Sequence, residues 1–312
     1  MRLLDYLYNA NCKTLHYPSF LKRLYVDSIV RHVVFVLTNF LIPTLFNITK
    51  QWHRIRPNES NVIVSLTSFP QRIDKVWILI ECLIRQNMQP EHLILWLSRE
   101  QFASIEVLPQ ELKEQMNRGL EIRLVEGDLR SYKKFYYAFQ EFPEFLVITV
   151  DDDFYLPSDF ISGLVNSSRL YPDSVICTFA CRFDWSESIQ YIKWNPEPIH
   201  DGERSNHIFF GSGGGTVFRP KKLLPYTYDT SLFRTLCPTA DDMFLNGIIR
   251  LAGFDVVSHK QVPLLEVKNS KNRKLDTENG NIFHIDSKNA DQLRALISYC
   301  KEKYRINPFK VN

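Results

Sequence analysis

From Asn61 onward, short apolar runs alternate with stretches of helical periodicity, the pattern of an α/β sheet with crossover helices. Val62-Ile63-Val64-Ser65-Leu66 reads as the first strand, and Thr67-Ser68-Phe69-Pro70 breaks it. Ile73, Val76, Trp77, Ile80, Leu83 and Ile84 then recur at helical spacing, giving one buried face that ends by Pro90. Leu93–Leu97 and Glu121–Val125 predict a second and a third strand, with a helix between them through Leu108 to Met116, stopped near Gly119. Tyr132, Phe135, Tyr136 and Phe139 mark an amphipathic helix ending before Pro143. Phe145–Val150 follows as a continuous apolar run, as expected of a central strand covered on both sides. That strand runs directly into Asp151-Asp152-Asp153.

Upstream the pattern is different. Residues 33–48 carry no charge, yet the run falls short of the roughly 20 apolar residues that a bilayer crossing wants and includes Asn39, Pro43 and Asn47. The first residues, Met1-Arg2-Leu3-Leu4-Asp5, lack the long apolar core of a cleavable signal peptide. A segment lying on the membrane surface is preferred, with a helix packed on the body as the other account. Flanking bases Lys13, Lys22, Arg23, Arg31, Lys50, Arg54 and Arg56 suit the anionic lipid of an inner, cytoplasmic membrane face.

Composition narrows the class. With 312 residues, 45% hydrophobic and 23% charged, the chain has material for a sizeable core, which excludes a disordered or collagen-like protein. The expected division is an N-terminal arm over residues 1–60 and one main domain over 61–312. Residues 1–60 hold 8 basic and 3 acidic residues, whereas the remainder holds 30 and 32, so the body offers no basic surface for nucleic acid. Six scattered cysteines fit a reduced, cytoplasmic compartment, and Cys177 and Cys181 suit packing better than a metal.

The acidic triplet is the most informative feature, because ligands of open α/β sheets bind at the carboxyl ends of strands. Three adjacent carboxylates raise one another's pKa values unless a cation or solvent offsets them, and Mg²⁺ or Mn²⁺ prefers oxygen ligands. Strand alternation points Asp151 and Asp153 to one side and Asp152 away. The bland account is a solvated acidic turn, or a cap for the helix expected to begin around Pro157-Ser158-Asp159.

Taken together, Val62–Arg72, then Leu129-Arg130-Ser131-Tyr132-Lys133-Lys134, then Ile148–Asp153 and Cys237–Leu245 resemble the glycosyltransferases of the GT-A fold. The likeness is greatest to family 2-like bacterial enzymes of surface-polysaccharide assembly, over about residues 61–265. It implies a Rossmann-like α/β domain whose mixed, mainly parallel sheet is flanked by helices, here carrying an N-terminal helical arm. By the same resemblance Ser65, Thr67, Phe69 and Arg72 would hold the donor nucleotide, Asp128 its base, and Lys133 or Lys134 its phosphates. Asp153 would be the surest ligand of Mn²⁺ or Mg²⁺, with Asp151 on the ribose or a metal-bound water and Asp152 secondary. His284 would be a late metal-binding histidine, although a lone His between apolar residues is more often structural.

Gly211-Ser212-Gly213-Gly214-Gly215-Thr216 lacks the Lys of a phosphate loop, so that reading is rejected. Glycines there permit close approach of backbone to a sugar, or form a bulged turn. Asp241-Asp242 precedes an apolar helical pattern through Leu251, where carboxylates also serve as caps. In the resembling family an acidic pair at this place supplies the base, which would be Asp242 first and Asp241 second. Trp185, Tyr191 and Trp194 suit either acceptor stacking or core packing.

The expected function is a metal-dependent, inverting transferase. It would move a sugar from a nucleotide-sugar donor, a UDP-sugar first among them, to a glycan or lipid-linked glycan. The competing functions are a phosphohydrolase or nucleotidyltransferase using the same acids, and a sugar-binding scaffold without turnover. A dehalogenase-type phosphatase is disfavoured, because Phe154-Tyr155 follows the acids where that class wants a different sequence.

Overall fold

A computed structural model describes residues 1–13, 26–56, 58–186, 191–260, 264–268 and 287–310. Among these residues the strands are β1 (Val62–Thr67), β2 (His92–Ser98), β3 (Leu120–Val125), β4 (Leu146–Val150), β5 (Phe154–Tyr155), β6 (Ser174–Cys177), β7 (Ala180–Ser186), β8 (Tyr191–Asn195), β9 (Arg204–Ser205), β10 (Ile208–Phe210), β11 (Gly214–Phe218), β12 (Asp255–Ser258) and β13 (Leu265–Glu266). Eight of them form the central sheet, in the order β3-β2-β1-β4-β11-β6-β12-β9. β1 to β4, β6 and β12 run in one direction, while β11 and β9 run against them. This is an α/β sheet, as the apolar runs implied, and it is mixed and mainly parallel, as the resemblance implied.

Strand alternation divides the core into two layers. Val62, Val64 and Leu66 of β1 face one layer, with α3 (Val76–Ile84), α4 (Gln110–Met116) and α6 (Phe160–Leu170) packed over them. Ile63 faces the other layer, covered by α5 (Lys133–Glu141), α7 (Thr230–Leu236), α8 (Asp241–Leu251) and α9 (Ser287–Tyr304). The helix expected from Leu108 is shorter than its periodicity suggested. Pro109 takes an extended conformation, so α4 starts at Gln110, and Ile105–Val107 makes a separate 3₁₀ turn.

The arm is built into this body. Helices α1 (Arg2–Lys13) and α2 (Val26–Thr49) contribute Leu4, Leu7, Tyr8, Val34, Ile42 and Phe46 to the first layer. Val34, Thr38, Ile42 and Phe46, spaced four apart, make a single buried stripe along α2. Of the two expectations, a surface-lying segment and a packed helix, the structure describes a helix packed on the body, with its opposite side exposed. Its inner side is held by Arg85, whose guanidinium donates to the Phe46 carbonyl at 3.1 Å and to Thr49 Oγ1 at 2.8 Å. Arg85 is in turn paired with buried Glu81 at 2.8 Å, and Arg118 bonds the same carboxylate. This locks α2 and α3 to the end of α4.

The cysteines are all free thiols; Cys177 is buried on β6 and Cys181 half-buried on β7. Trp194 meets Phe209 edge to face at 5.3 Å, and Trp185 is also partly buried against the second core layer.

Candidate active site

The pairing of β4 with β11 creates the site. Antiparallel register sets Gly214 opposite Val150, so the acidic turn after β4 lies beside the glycine run before β11. Asp151 N–H donates to the Gly213 carbonyl at 2.8 Å. The Asp151 carboxylate packs directly over Gly213, where an added Cβ would fall 1.7 Å from Asp151 Oδ2. The run is also a bulge. Register shifts between Gly214 and Thr216, and Gly215 adopts φ +109°.

The N-terminus of α8 enters from the other side. Ser212 N–H donates to Asp242 Oδ1 at 2.7 Å, and Ser212 Oγ donates to Asp241 Oδ2 at 3.1 Å. Ser131 Oγ, in the turn before α5, donates to Asp241 Oδ1 at 2.8 Å. Lys134 projects from the first turn of α5 and lies 2.8 Å from Asp151 and 3.2 Å from Asp241. One buried ammonium thus joins the two acidic motifs, which are 90 residues apart in sequence.

The acids are not equivalent. Asp152 is buried and accepts from Ser68 Oγ at 2.5 Å and from Arg72 at 2.9 Å. Asp153 takes the same Arg72 guanidinium on Oδ2 at 2.6 Å, while its Oδ1 is buried with no hydrogen-bond partner. Asp151 is nearly half exposed. Burial pushes Asp153 up to about 8 and raises Asp152 as well, against the pull of Arg72; the neighbouring carboxylates add to the rise at both. Burial, then the charge of Asp241, pushes Asp242 up to about 7, with Lys134 and Ser212 opposing. At Lys134 burial works against the charge, but Asp151, Asp241 and Asp242 outweigh it and raise its pKa.

Two expected donor contacts are placed elsewhere. Ser65 is fully buried, donates to the Lys134 carbonyl and accepts from Trp96 Nε1 at 2.9 Å, so it braces α5 against the sheet. Lys133 is turned onto Asp128, away from the acidic turn, and it is Lys134 that meets Asp151. Helical periodicity could not choose between these lysines because both are buried, each against its own carboxylate. Asp128 also accepts from Gln101 at 2.8 Å, and its pKa is lowered because Lys133 and the Arg130 N–H outweigh the effect of burial. Thr67 donates to the Trp96 carbonyl at 2.8 Å, and Phe69 lies under the Arg72 guanidinium at 5.5 Å, both at the rim of the acidic turn. His284 lies outside the described residues. Ser131, Ser212 and Ser68, which orient the acids, were not singled out as site residues; no periodicity distinguishes such serines from turn residues.

Among the described residues no three His, Cys, Asp or Glu side chains converge as a ready-made metal cage. A divalent cation nevertheless fits the donor set. The unsatisfied Asp153 Oδ1 and the solvent-facing Asp151 are hard oxygen ligands, and phosphate oxygens or water would supply the rest. Asp152 is committed to Ser68 and Arg72.

No family model matches the chain, and no curated protein matches its sequence. Solved structures similar in shape include 4-diphosphocytidyl-2C-methyl-D-erythritol synthase from Anaerococcus prevotii, with 14% identity, TM-score 0.45, and coverage of 72% of this chain and 96% of that one. Another is a mannosyltransferase from Pyrobaculum calidifontis in complex with GDP-Man and Mn²⁺, with 12% identity, TM-score 0.45, and coverage of 88% and 86%. A third is TarS residues 1–349 from S. aureus in complex with UDP, with 12% identity, TM-score 0.43, and coverage of 78% and 72%.

Proposed function

We propose that the chain is a glycosyltransferase that moves a sugar from a nucleotide-sugar donor to a hydroxyl of a glycan or lipid-linked glycan. The observation that carries this reading is the joining of Asp151 and Asp241 by buried Lys134, beside a glycine run on which the Asp151 carboxylate packs directly. Transfer between two substrates needs a site for a leaving phosphate and a base for an incoming hydroxyl. The acidic turn and the start of α8 provide them side by side.

Asp242 is the base. Burial sets it near neutrality, where a carboxylate both carries negative charge and accepts a proton effectively. The acceptor oxygen bonds to the anomeric carbon as the bond from that carbon to the diphosphate oxygen breaks. The acceptor proton passes to Asp242, and the nucleoside diphosphate leaves with the bonding electrons. A single displacement of this kind inverts the anomeric centre. Asp241, fixed by Ser131, Ser212 and Lys134, holds the start of α8 in place. Mn²⁺ or Mg²⁺, held by Asp153 and Asp151, would neutralise charge on the departing diphosphate. Lys134 holds Asp151 in orientation, and Thr67, Phe69 and Arg72 border the donor.

A UDP-sugar is the first donor to try, and the setting proposed is surface-polysaccharide assembly at the cytoplasmic membrane face, with residues 61–312 as the catalytic unit. The test is calorimetric binding and nucleoside diphosphate release with UDP-, GDP- and CMP-type sugars, with Mn²⁺, Mg²⁺ or EDTA. Metal-dependent binding of one donor, lost in Asp153→Asn, is expected. Failure of every donor with folded, metal-loaded protein sinks the assignment.

A further inference from the structure

We infer that the outer face of α2 is a docking surface for an anionic lipid bilayer, and that the protein lies flat on it. Opposite the buried stripe, α2 turns Ile29, Val33, Val36, Leu37, Phe40 and Ile48 to solvent, with Phe40 74% and Ile48 62% exposed. These positions follow the i, i+3, i+4 spacing of one continuous face, about 28 Å long at 1.5 Å per residue. Residues 33–49 place no charged group anywhere on it. A folded protein rarely leaves such a face open without a partner.

Charge selects the partner. Residues 1–60 carry 8 bases and 3 acids, and Arg2, Arg54 and Arg56 are exposed on the arm. Asp5, one of those acids, is taken up by Ser158 at 2.7 and 2.8 Å. An uncharged apolar strip on an arm with an excess of bases, Arg54 and Arg56 exposed just past its C-terminal end, matches acyl chains bordered by anionic headgroups. A second copy would instead bring the same excess of positive charge against itself.

The helix Val26–Trp52 is long and apolar enough to cross a membrane by length and composition alone. Its inner stripe argues that it lies along the surface. Spanning would strip Val34, Thr38, Ile42 and Phe46 from the core and abandon Arg85, which stacks 4.5 Å over the Phe46 ring.

The same helix supports the acidic turn. Asn39 accepts from Tyr155 Oη at 3.2 Å and from Lys268 N–H at 2.6 Å, and donates to the Glu266 carbonyl at 3.1 Å. Val267 N–H then donates to the Asp153 carbonyl at 2.7 Å. Lipid on the outer side of α2 is therefore held at a fixed distance from Asp153, an arrangement suited to a lipid-linked acceptor. That last point rests on the transferase assignment; the docking face does not.

The test is cosedimentation of the full chain with vesicles of phosphatidylcholine, alone or mixed with phosphatidylglycerol. The expected result is pelleting with the mixed vesicles, weakened by salt and reduced about tenfold or more in Val36→Asp/Phe40→Asp. That double variant should keep its circular dichroism and its donor binding. The inference is overturned if the parent chain stays in the supernatant, or if the variant pellets equally well. It is also overturned if the face instead forms a concentration-dependent dimer without lipid. Vesicle binding without donor binding keeps the docking face and removes the transferase assignment; donor binding without vesicle binding does the reverse.

Discussion

Lys134 holds Asp151 at 2.8 Å from a position almost closed to solvent, and this contact ties the strand-end acids to the helix-start acids. Two acidic motifs packed together without it would repel. Replacing Lys134 by Met should therefore cost about 3–5 kcal/mol, the usual penalty for leaving buried charge without its partner. Urea unfolding of Lys134→Met measures this, and a loss under about 1 kcal/mol would show that the ammonium is not the link.

Asp242→Asn keeps the shape of the side chain and removes its proton affinity. Turnover should fall by about 10²- to 10⁴-fold while donor affinity changes little. Single-turnover kinetics beside calorimetry separate the two effects, and an unchanged rate would move the base elsewhere.

Transfer should rise with pH through about 7, the value to which burial pushes Asp242, because only its ionised form accepts the acceptor proton. Stability should move the other way. The folded-state values of Asp242 and Asp153 lie above the unfolded value of about 4, so the native state keeps protons that the unfolded chain has lost. The metal-free protein should lose stability as pH climbs from about 4 to about 8, with a shallower slope in Asp242→Asn. Urea midpoints across that range in EDTA decide the point.

Gly213→Ala would drive a methyl group into the Asp151 carboxylate. Gly213 does not adopt a positive φ, so the fold should survive while the acid is pushed aside. Metal-dependent donor affinity should drop about 10- to 100-fold. Equal affinity in the variant would show that Asp151 does not take part in donor binding.

The sheet was legible because the strands of its centre are apolar runs with helices of clear periodicity between them, and β1 to β4 fall where those runs lie. The candidate acids were legible because a polar triplet at the end of a buried strand is conspicuous. Their wiring was not. Ser65 has the residue type of a donor contact but faces inward to brace Lys134, a direction fixed by the β1 register with β2 and β4. Lys133 and Lys134 carry the same signal in sequence, and only the approach of Asp128 to one and Asp151 to the other separates them. The two faces of α2 were hidden for a different reason: both are apolar, so periodicity does not reveal which one the body covers.

Arg72 reaches both Asp152 and Asp153, so the triplet arrives with a counter-charge of its own. On the proposed function, a metal ion would be a replaceable guest in a turn that is already assembled. Chelation should silence the protein without unfolding it, and activity should return on adding Mn²⁺ as fast as the ion can diffuse in, with no refolding step to wait for.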